Sequence, residues 1–403
     1  SPSTVSDNPV TVLGQGNSAG NGLALSGSSI AASAALFHSQ SMSSAVNASA
    51  SDIHVDVNAD GQLLDGVSQT VTGNSVGVYA GLNDATNALS VDAANSVAAN
   101  VGLAGASSDA TSFDGFTGAV ADFAVTNLQD STGTATASLV DARAGILMGD
   151  GALGTGGSLT VTGNQFSARA SGNNAGNSVA LNGAGSVAAT AAVDSQQSNA
   201  GGISATVSGV DVSAGNRDTG NGDIIGNEVT LTDNRVSGAA SGNSASNAIS
   251  VSSAALNGAG FVGTESSTSD VSTAIADYAL NNAQGNTAAI STTMSNVTIG
   301  SNLNGGVGAV LNSHAAIGSN MIMASASGNS ADNSIVLASV AGMPSAALTS
   351  SQVNTASIST SISGARIGMI AGGLSNSPVT VTNNVISAIA TGNSAVNHIG
   401  IGN

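Results

Sequence analysis

The chain has 403 residues and contains no cysteine, no tryptophan and no lysine; aromatic residues make up 2% and charged residues 7%. Absent cysteine is compatible with any compartment. The only basic side chains are Arg143, Arg169, Arg217, Arg235 and Arg366, against 23 acidic residues and a net charge of −18. Such a balance repels nucleic-acid phosphates and anionic lipid heads, so neither is an expected partner. No run of about eighteen apolar residues occurs, so no helical membrane span is predicted. The opening SPSTVSDNPV has neither a charged segment nor an apolar core and reads as a mature terminus left after signal cleavage. Together with the missing lysine and low charge, this points to secretion onto a bacterial surface. Disorder is excluded by what remains. Apolar residues are 41%, and they alternate with polar ones rather than scatter.

What is present is a repeat. VTGNQFSARASGNNAGNSVAL at 161–181 returns as LTDNRVSGAASGNSASNAISV at 231–251, as IGSNMIMASASGNSADNSIVL at 317–337, and again at 381–401. A looser copy lies at 71–91 and a partial one at 14–25. Three asparagines keep register in each clear copy: Asn164, Asn173 and Asn177; Asn234, Asn243 and Asn247; Asn320, Asn329 and Asn333; Asn384, Asn393 and Asn397. A second motif aligns Gln40, Gln129, Gln197, Gln284 and Gln352, each followed six residues on by Val46, Ala135, Ile203, Ile290 and Ile358. The intervals alternate between short and long units, roughly 68 and 88 residues, a regularity typical of repeat architectures. The long units carry an added segment, FTGAVADFAVTNLQ at 116–129 and VSTAIADYALNNAQ at 271–284, which sets Asp122 against Asp277. An extra strand or an extra coil accounts for it.

Within a copy, Phe166, Ala168 and Ala170 share one face and Gln165, Ser167 and Arg169 the other, the two-residue period of a strand. Gly172 and Asn173 are of the types that tolerate a tight turn, which predicts strand, turn, strand with Val179 and Leu181 inward. Helix is disfavoured by that period and by the interspersed glycine and β-branched residues. The fold class expected is all-β, an elongated β-solenoid or stack of β-arches, with residues 1–8 an extension and 9–403 one repeat body. At roughly 20–25 residues per coil the body would be a rod on the order of 80–100 Å long. Equivalent asparagines would then lie several coils apart, serving turns or amide ladders without needing to touch one another.

Chemistry-bearing side chains do not converge in the sequence. Asp141, Asp150, Asp218 and Asp223 sit in glycine-rich loops, which makes Ca²⁺ the one cofactor to consider, but they lack the spacing of known calcium loops. Asp122 and Asp277 read as one outward polar position of a duplicated strand. His38, His54, His314 and His398 share no spacing that a metal site or general base would need. No nucleophile elbow accompanies the serines, and no glycine-rich stretch sits between a strand and a helix. A flat threonine row, which an ice- or glycan-binding module would present, is not sustained along the sequence.

The run N-x-[V/I/F]-x-A-x-A-x-G-N-x-A-x-N-x-[V/I]-x-[L/V] resembles repeats in secreted surface proteins of alphaproteobacteria, in particular the holdfast-anchor D type. Its GNSA core and spaced glutamines are also similar to curlin repeats. The resemblance implies an extracellular, non-enzymatic role in adhesion or fibre formation. The expected partner is the chain itself, joined head to tail, with cell-surface polysaccharide or other surface proteins as further candidates. The ends suggest how. PVTVLGQGNSAGN at 9–21 lacks the NVISAIA strand, and IGIGN closes the sequence without a cap. Pro9, Val10 and Val12 at one end and Ile399 and Ile401 at the other are the expected assembly edges, with residues 1–8 a candidate donor strand. The rival expectation is a monomeric adhesin stalk or a glycan- or ice-binding module.

Overall fold

A computed structural model describes residues 2–59, 66–99, 119–148, 156–216, 224–257, 262–264, 274–302, 309–342 and 344–402. Among these residues the chain is all-β, with no helix, hence none long and apolar enough to cross a membrane. The strands fall into successive layers that pair in parallel. The first layer is β1 (Ser3–Ser6), β2 (Pro9–Ala31), β3 (Ala34–Met42) and β4 (Val46–Ala59). The second is β5 (Ser68–Thr72), β6 (Ser75–Ala98), β7 (Ala119–Val120), β8 (Phe123–Ser131) and β9 (Ala135–Met148). The third is β10 (Ser158–Thr162), β11 (Gln165–Ala188), β12 (Ala191–Asn199), β13 (Ile203–Ser208) and β14 (Asp211–Asn216).

The fourth comprises β15 (Ile224–Ile225), β16 (Glu228–Thr232), β17 (Arg235–Leu256), β18 (Val262–Thr264), β19 (Ala274–Ala276), β20 (Tyr278–Asn286), β21 (Ile290–Ser295) and β22 (Thr298–Asn302). The fifth repeats this with β23 (Ala309–Leu311), β24 (His314–Gly318), β25 (Met321–Gly342), β26 (Ala346–Asn354), β27 (Ile358–Ser363) and β28 (Arg366–Ile370). The sixth holds β29 (Gly373–Ser375), β30 (Val379–Thr382) and β31 (Val385–Gly402).

Four sheet positions recur through five or six layers, and a fifth, β15-β23-β29, through the last three. Position A stacks β1-β5-β10-β16-β24-β30, and position B stacks β2-β6-β11-β17-β25-β31. Position C stacks β3-β8-β12-β20-β26, and position D carries β4, β9, β13 with β14, β21 with β22, and β27 with β28. A and B form one arm of each layer, C and D the other. The register is residue for residue: Phe166 pairs with Val76 on one side and Val236 on the other, and Asn173 with Asn83 and Asn243.

This corrects the expected coil. One whole repeat makes one layer, with offsets of 66, 90, 70, 86 and 64 residues along position B. Six layers span only about 25–30 Å along the stack, at about 4.8 Å each. The long dimension runs along the strands, since the 24 residues of β11 cover roughly 80 Å when extended.

Two further expectations change. Gly172 and Asn173 make no turn, because β11 continues through them. They form a one-residue slip that switches the inward parity. Phe166, Ala168 and Ala170 are buried before it, and Asn173, Ala175, Asn177, Val179 and Leu181 after it. At Gly172 the slip is crowded, since a Cβ would meet the Gly242 carbonyl oxygen at 2.5 Å and Asn199 Oδ1 at 2.9 Å, whereas the second layer accommodates the buried Leu82 at the same position. Nor are residues 1–8 a separate extension: Ser3–Ser6 form β1 and pair with β5. Likewise, Pro9–Ala31 fills the full B strand of the first layer, with Pro9 opposite Ser75.

The interior is divided in two. One cluster lies between A, the first half of B, and D, and includes Leu159, Phe166, Ile203, Val207 and Ile290. The other lies between the second half of B and C, and includes Leu89, Val179, Leu181, Phe123 and Tyr278. The added segment of the long repeats supplies extra strands. β18 pairs antiparallel with both β7 and β19, and an alanine cluster of Ala119, Ala121, Ala124 and Ala192 packs there. As a result β12 is buried along nearly its whole length, on both faces.

Candidate functional site: an amide spine between the arms

The parity slip brings the B-strand asparagines inward at the boundary between the two hydrophobic clusters. Buried amides there need partners, and the stack provides them. Asn17, Asn83, Asn173, Asn243, Asn329 and Asn393 form one column, each Nδ2 donating to Oδ1 of the next at 2.8 Å. Asn21, Asn87, Asn177, Asn247, Asn333 and Asn397 form a second at the same distance. The expectation that equivalent asparagines lie too far apart to touch is overturned, because consecutive repeats are consecutive layers.

Each amide has a second N–H, and this one crosses to the other arm. In the first column, Asn173 Nδ2 also donates to the Ser198 carbonyl at 2.7 Å and Asn243 Nδ2 to that of Gly285 at 2.7 Å. In the second, the acceptors are Asn127, Ser195, Asn282 and Ser350 side chains. The opposite arm reciprocates. Gln129 donates to Gln40, Gln197 to Gln129, Gln284 to Gln197 and Gln352 to Gln284, at 2.6–2.8 Å. Their second N–H groups reach the B-strand carbonyls of Asn174, Ser244, Ser330 and Ser394. The two arms are laced by side chains whose hydrogen bonds are shared between neighbouring layers.

A third column, Asn8, Asn74, Asn164, Asn234, Asn320 and Asn384, stands at the A–B corner. The residue before each adopts a left-handed backbone: Asp7, Gly73, Gly163, Asp233, Ser319 and Asn383. Asn164 Nδ2 also donates to the Thr162 carbonyl two residues back at 3.2 Å, across Gly163, so this column does stabilise a turn. A fourth column escaped the sequence reading: Asn199 donates to Asn286 and Asn286 to Asn354, each at 2.7 Å. The signal was available, since these residues stand two beyond Gln197, Gln284 and Gln352.

Asp122 and Asp277 are not solvated outward residues. Each carboxylate clamps the next layer: Asp122 accepts from Thr190 N and Oγ1, and Asp277 from Ser345 N and Oγ. Asp194, also missed, is buried under the extra strands, and its Oδ1 accepts from Asn281 Nδ2 at 2.8 Å while Oδ2 has no partner. Burial pushes its carboxyl up to about 8.

Burial lowers the His38 pKa, and His38 Nδ1 accepts from Asn21 at 2.9 Å. His54 approaches Asp52 at 3.1 Å, while His314 and His398 stand opposite Glu228 and Ser334. The four histidines are not brought together. Among the described residues no group of three or more His, Cys, Asp or Glu could hold a metal ion. Asp141 takes a left-handed backbone at a D-strand corner, whereas Asp150, Asp218 and Asp223 lie outside the described residues.

Stacking also creates a threonine row that the linear sequence concealed. Thr70, Thr160 and Thr230 align across β5, β10 and β16, as do Thr72, Thr162 and Thr232. They alternate with the buried Val71, Val161 and Leu231, and Thr162 and Thr232 share a hydroxyl hydrogen bond of 3.0 Å. Thr4 and Ser6 extend the rows in β1, and Ala316 and Gly318 interrupt them in β24. Among the described residues, the expected edge residues Pro9, Val10 and Val12 begin β2, which pairs only with β6, and Ile399 and Ile401 lie in β31, which pairs only with β25. No protein-family model matches this chain, and no curated protein or solved structure is significantly similar to it.

Proposed function

We propose that the chain is an extracellular, non-catalytic structural protein: a β-solenoid of stacked β-arches that serves as a subunit of a bacterial surface fibre or adhesive anchor, assembling end to end. One observation carries this reading. Every layer offers its neighbour the same rows of amide donors and acceptors, although the repeats differ in length by more than twenty residues. Such a layer can template another of the same pattern, as in other cross-strand amide stacks. Outer edges with unpaired backbone groups are a ready surface for that addition. Negative-stain electron microscopy with size-exclusion chromatography over a range of concentrations tests it. Filaments are expected, with an axial rise of about 30 Å per copy from six layers. Removing residues 1–12 or 385–403 should abolish them; unchanged assembly of both truncations would sink the proposal.

The threonine rows favour a second reading, a monomeric stalk whose A face binds ice or an ordered glycan. Discrete particles at every concentration, together with retention on ice or an insoluble glycan that Thr160→Lys and Thr230→Lys abolish, would support it over assembly.

A further inference from the structure

The amide columns have a direction. In the three asparagine columns that run through all six layers the Nδ2 group donates toward the higher-numbered layer, from Asn8 to Asn384, Asn17 to Asn393 and Asn21 to Asn397, while the glutamines of the other arm donate toward the lower-numbered one. The face of the sixth layer therefore carries three amides with an N–H left over, at spacings of nine and four residues. The face of the first layer carries three Oδ1 atoms at the same spacings, on Asn8, Asn17 and Asn21. The apolar side chains match as well. The columns that end at Ile386, Ile399 and Ile401 begin at Val10, Leu23 and Leu25.

We infer that a second copy of this chain joins with one polarity only, its β1–β2 edge lying parallel and in register on β30–β31. This rests on the stacking reading above and specifies its recognition chemistry. Asn384, Asn393 and Asn397 donate to Asn8, Asn17 and Asn21 of the added copy. Two like faces would set N–H against N–H or oxygen against oxygen, and reverse the strand direction, leaving polar groups unsatisfied on closing the interface. The contact is carried by the A–B arm, which has six layers, because the C–D arm has five.

The double variant Asn393→Asp, Asn397→Asp isolates this step. Each aspartate still offers an oxygen to Asn329 and Asn333, so the column bonds are retained and the loss within the stack is the exposed 3.3 Å bond from Asn393 Nδ2 to the Gln352 carbonyl. The outward N–H becomes a charged acceptor facing another acceptor. At neutral pH the variant alone is expected not to elongate, with its melting temperature close to that of the unmodified protein. Its first-layer face is intact, so added in small proportion to unmodified chains it should cap them and shorten filaments several-fold. Below the usual carboxylate pKa of about 4 the protonated acids can donate, and elongation should return. Asn393→Ala with Asn397→Ala, which removes the donors without adding charge, should slow growth less. Filaments of unmodified protein with undiminished growth of the aspartate variant would overturn the polarity inference alone. Absence of any filament from the unmodified protein would overturn the stacking reading, and this inference with it.

Discussion

β25 and β31 are neighbouring strands with the same pattern, paired in register, yet their apolar residues are in opposite conditions. Ile322, Ile335 and Leu337 are 0–1% exposed, whereas Ile386, Ile399 and Ile401 in the same columns are 50%, 44% and 59% exposed. The difference is not in the side chains. β25 has a layer on each side and the C–D arm opposite, while β31 has one neighbour and no C–D strands of its own layer. A residue's place in the pattern sets which way it points. The number of layers around it sets what that direction is worth.

The sharpest way to probe this contrast is at the parity slip. A Cβ at Gly242 would meet the Gly328 carbonyl oxygen and Ile290 Cδ1, both at 2.6 Å, while at Gly392 the nearest atom is Asn354 Nδ2 at 3.8 Å. Gly242→Val should cost about 3 kcal/mol or more, and Gly392→Val under about 1, by overpacking alone. Denaturant midpoints compare the two directly, and equal losses would mean that the slip is not confined by its neighbours. The hydrophobic version follows. Ile335→Ala should lose about 3 kcal/mol through its transfer and cavity terms, and Ile399→Ala no more than about 1. If filaments form, the Ile399→Ala cost should rise in the filament, because the added copy covers that column.

Within the amide spine, Asn243→Ala should cost about 2 kcal/mol. It leaves Asn173 without its side-chain acceptor, Asn329 without its side-chain donor and removes the donor that crosses to the Gly285 carbonyl. Asn243→Asp should not rescue it, since the donor side remains empty. A rescue in thermal melts would contradict the ladder as the source of the effect.

One expected effect has the opposite sign, a gain in stability. Asp194 holds its proton in the fold up to about pH 8, while an unfolded aspartate releases it near pH 4. The unfolded state therefore gains between those pH values, and stability falls as pH rises from about 4 to about 8, then levels. Asp194→Asn should remove that part of the slope and be the more stable protein at neutral pH. Parallel stability curves for the two proteins would show that Asp194 does not titrate as its burial requires.

Much of this organisation is legible along the chain. Alternation reveals the inward face of each strand, and the spacings of nine and four residues identify the asparagines that share columns, as the glutamines do. The glycine–asparagine pair was readable as an interruption but not as a slip, because glycine serves a turn and a crowded strand equally well. The threonine rows were hidden for a different reason: Thr72, Thr162 and Thr232 stand 90 and 70 residues apart, and no local window aligns them. Asp194 is unmarked because burial on its outer side comes from strands of another layer.

The sequence by itself determined the repeat units, the two-residue parity and the identity of the amides in each column, since these depend on local periodicity and side-chain type. Only the tertiary structure decided that one repeat closes one layer, that equivalent amides touch and hydrogen-bond, and that the asparagine columns donate one way and the glutamine column the other. Those properties arise from parallel backbone pairing between residues 64–90 positions apart. A strand's own sequence contains the donors and acceptors for that pairing, but the neighbour that meets them is fixed only when the layers stack.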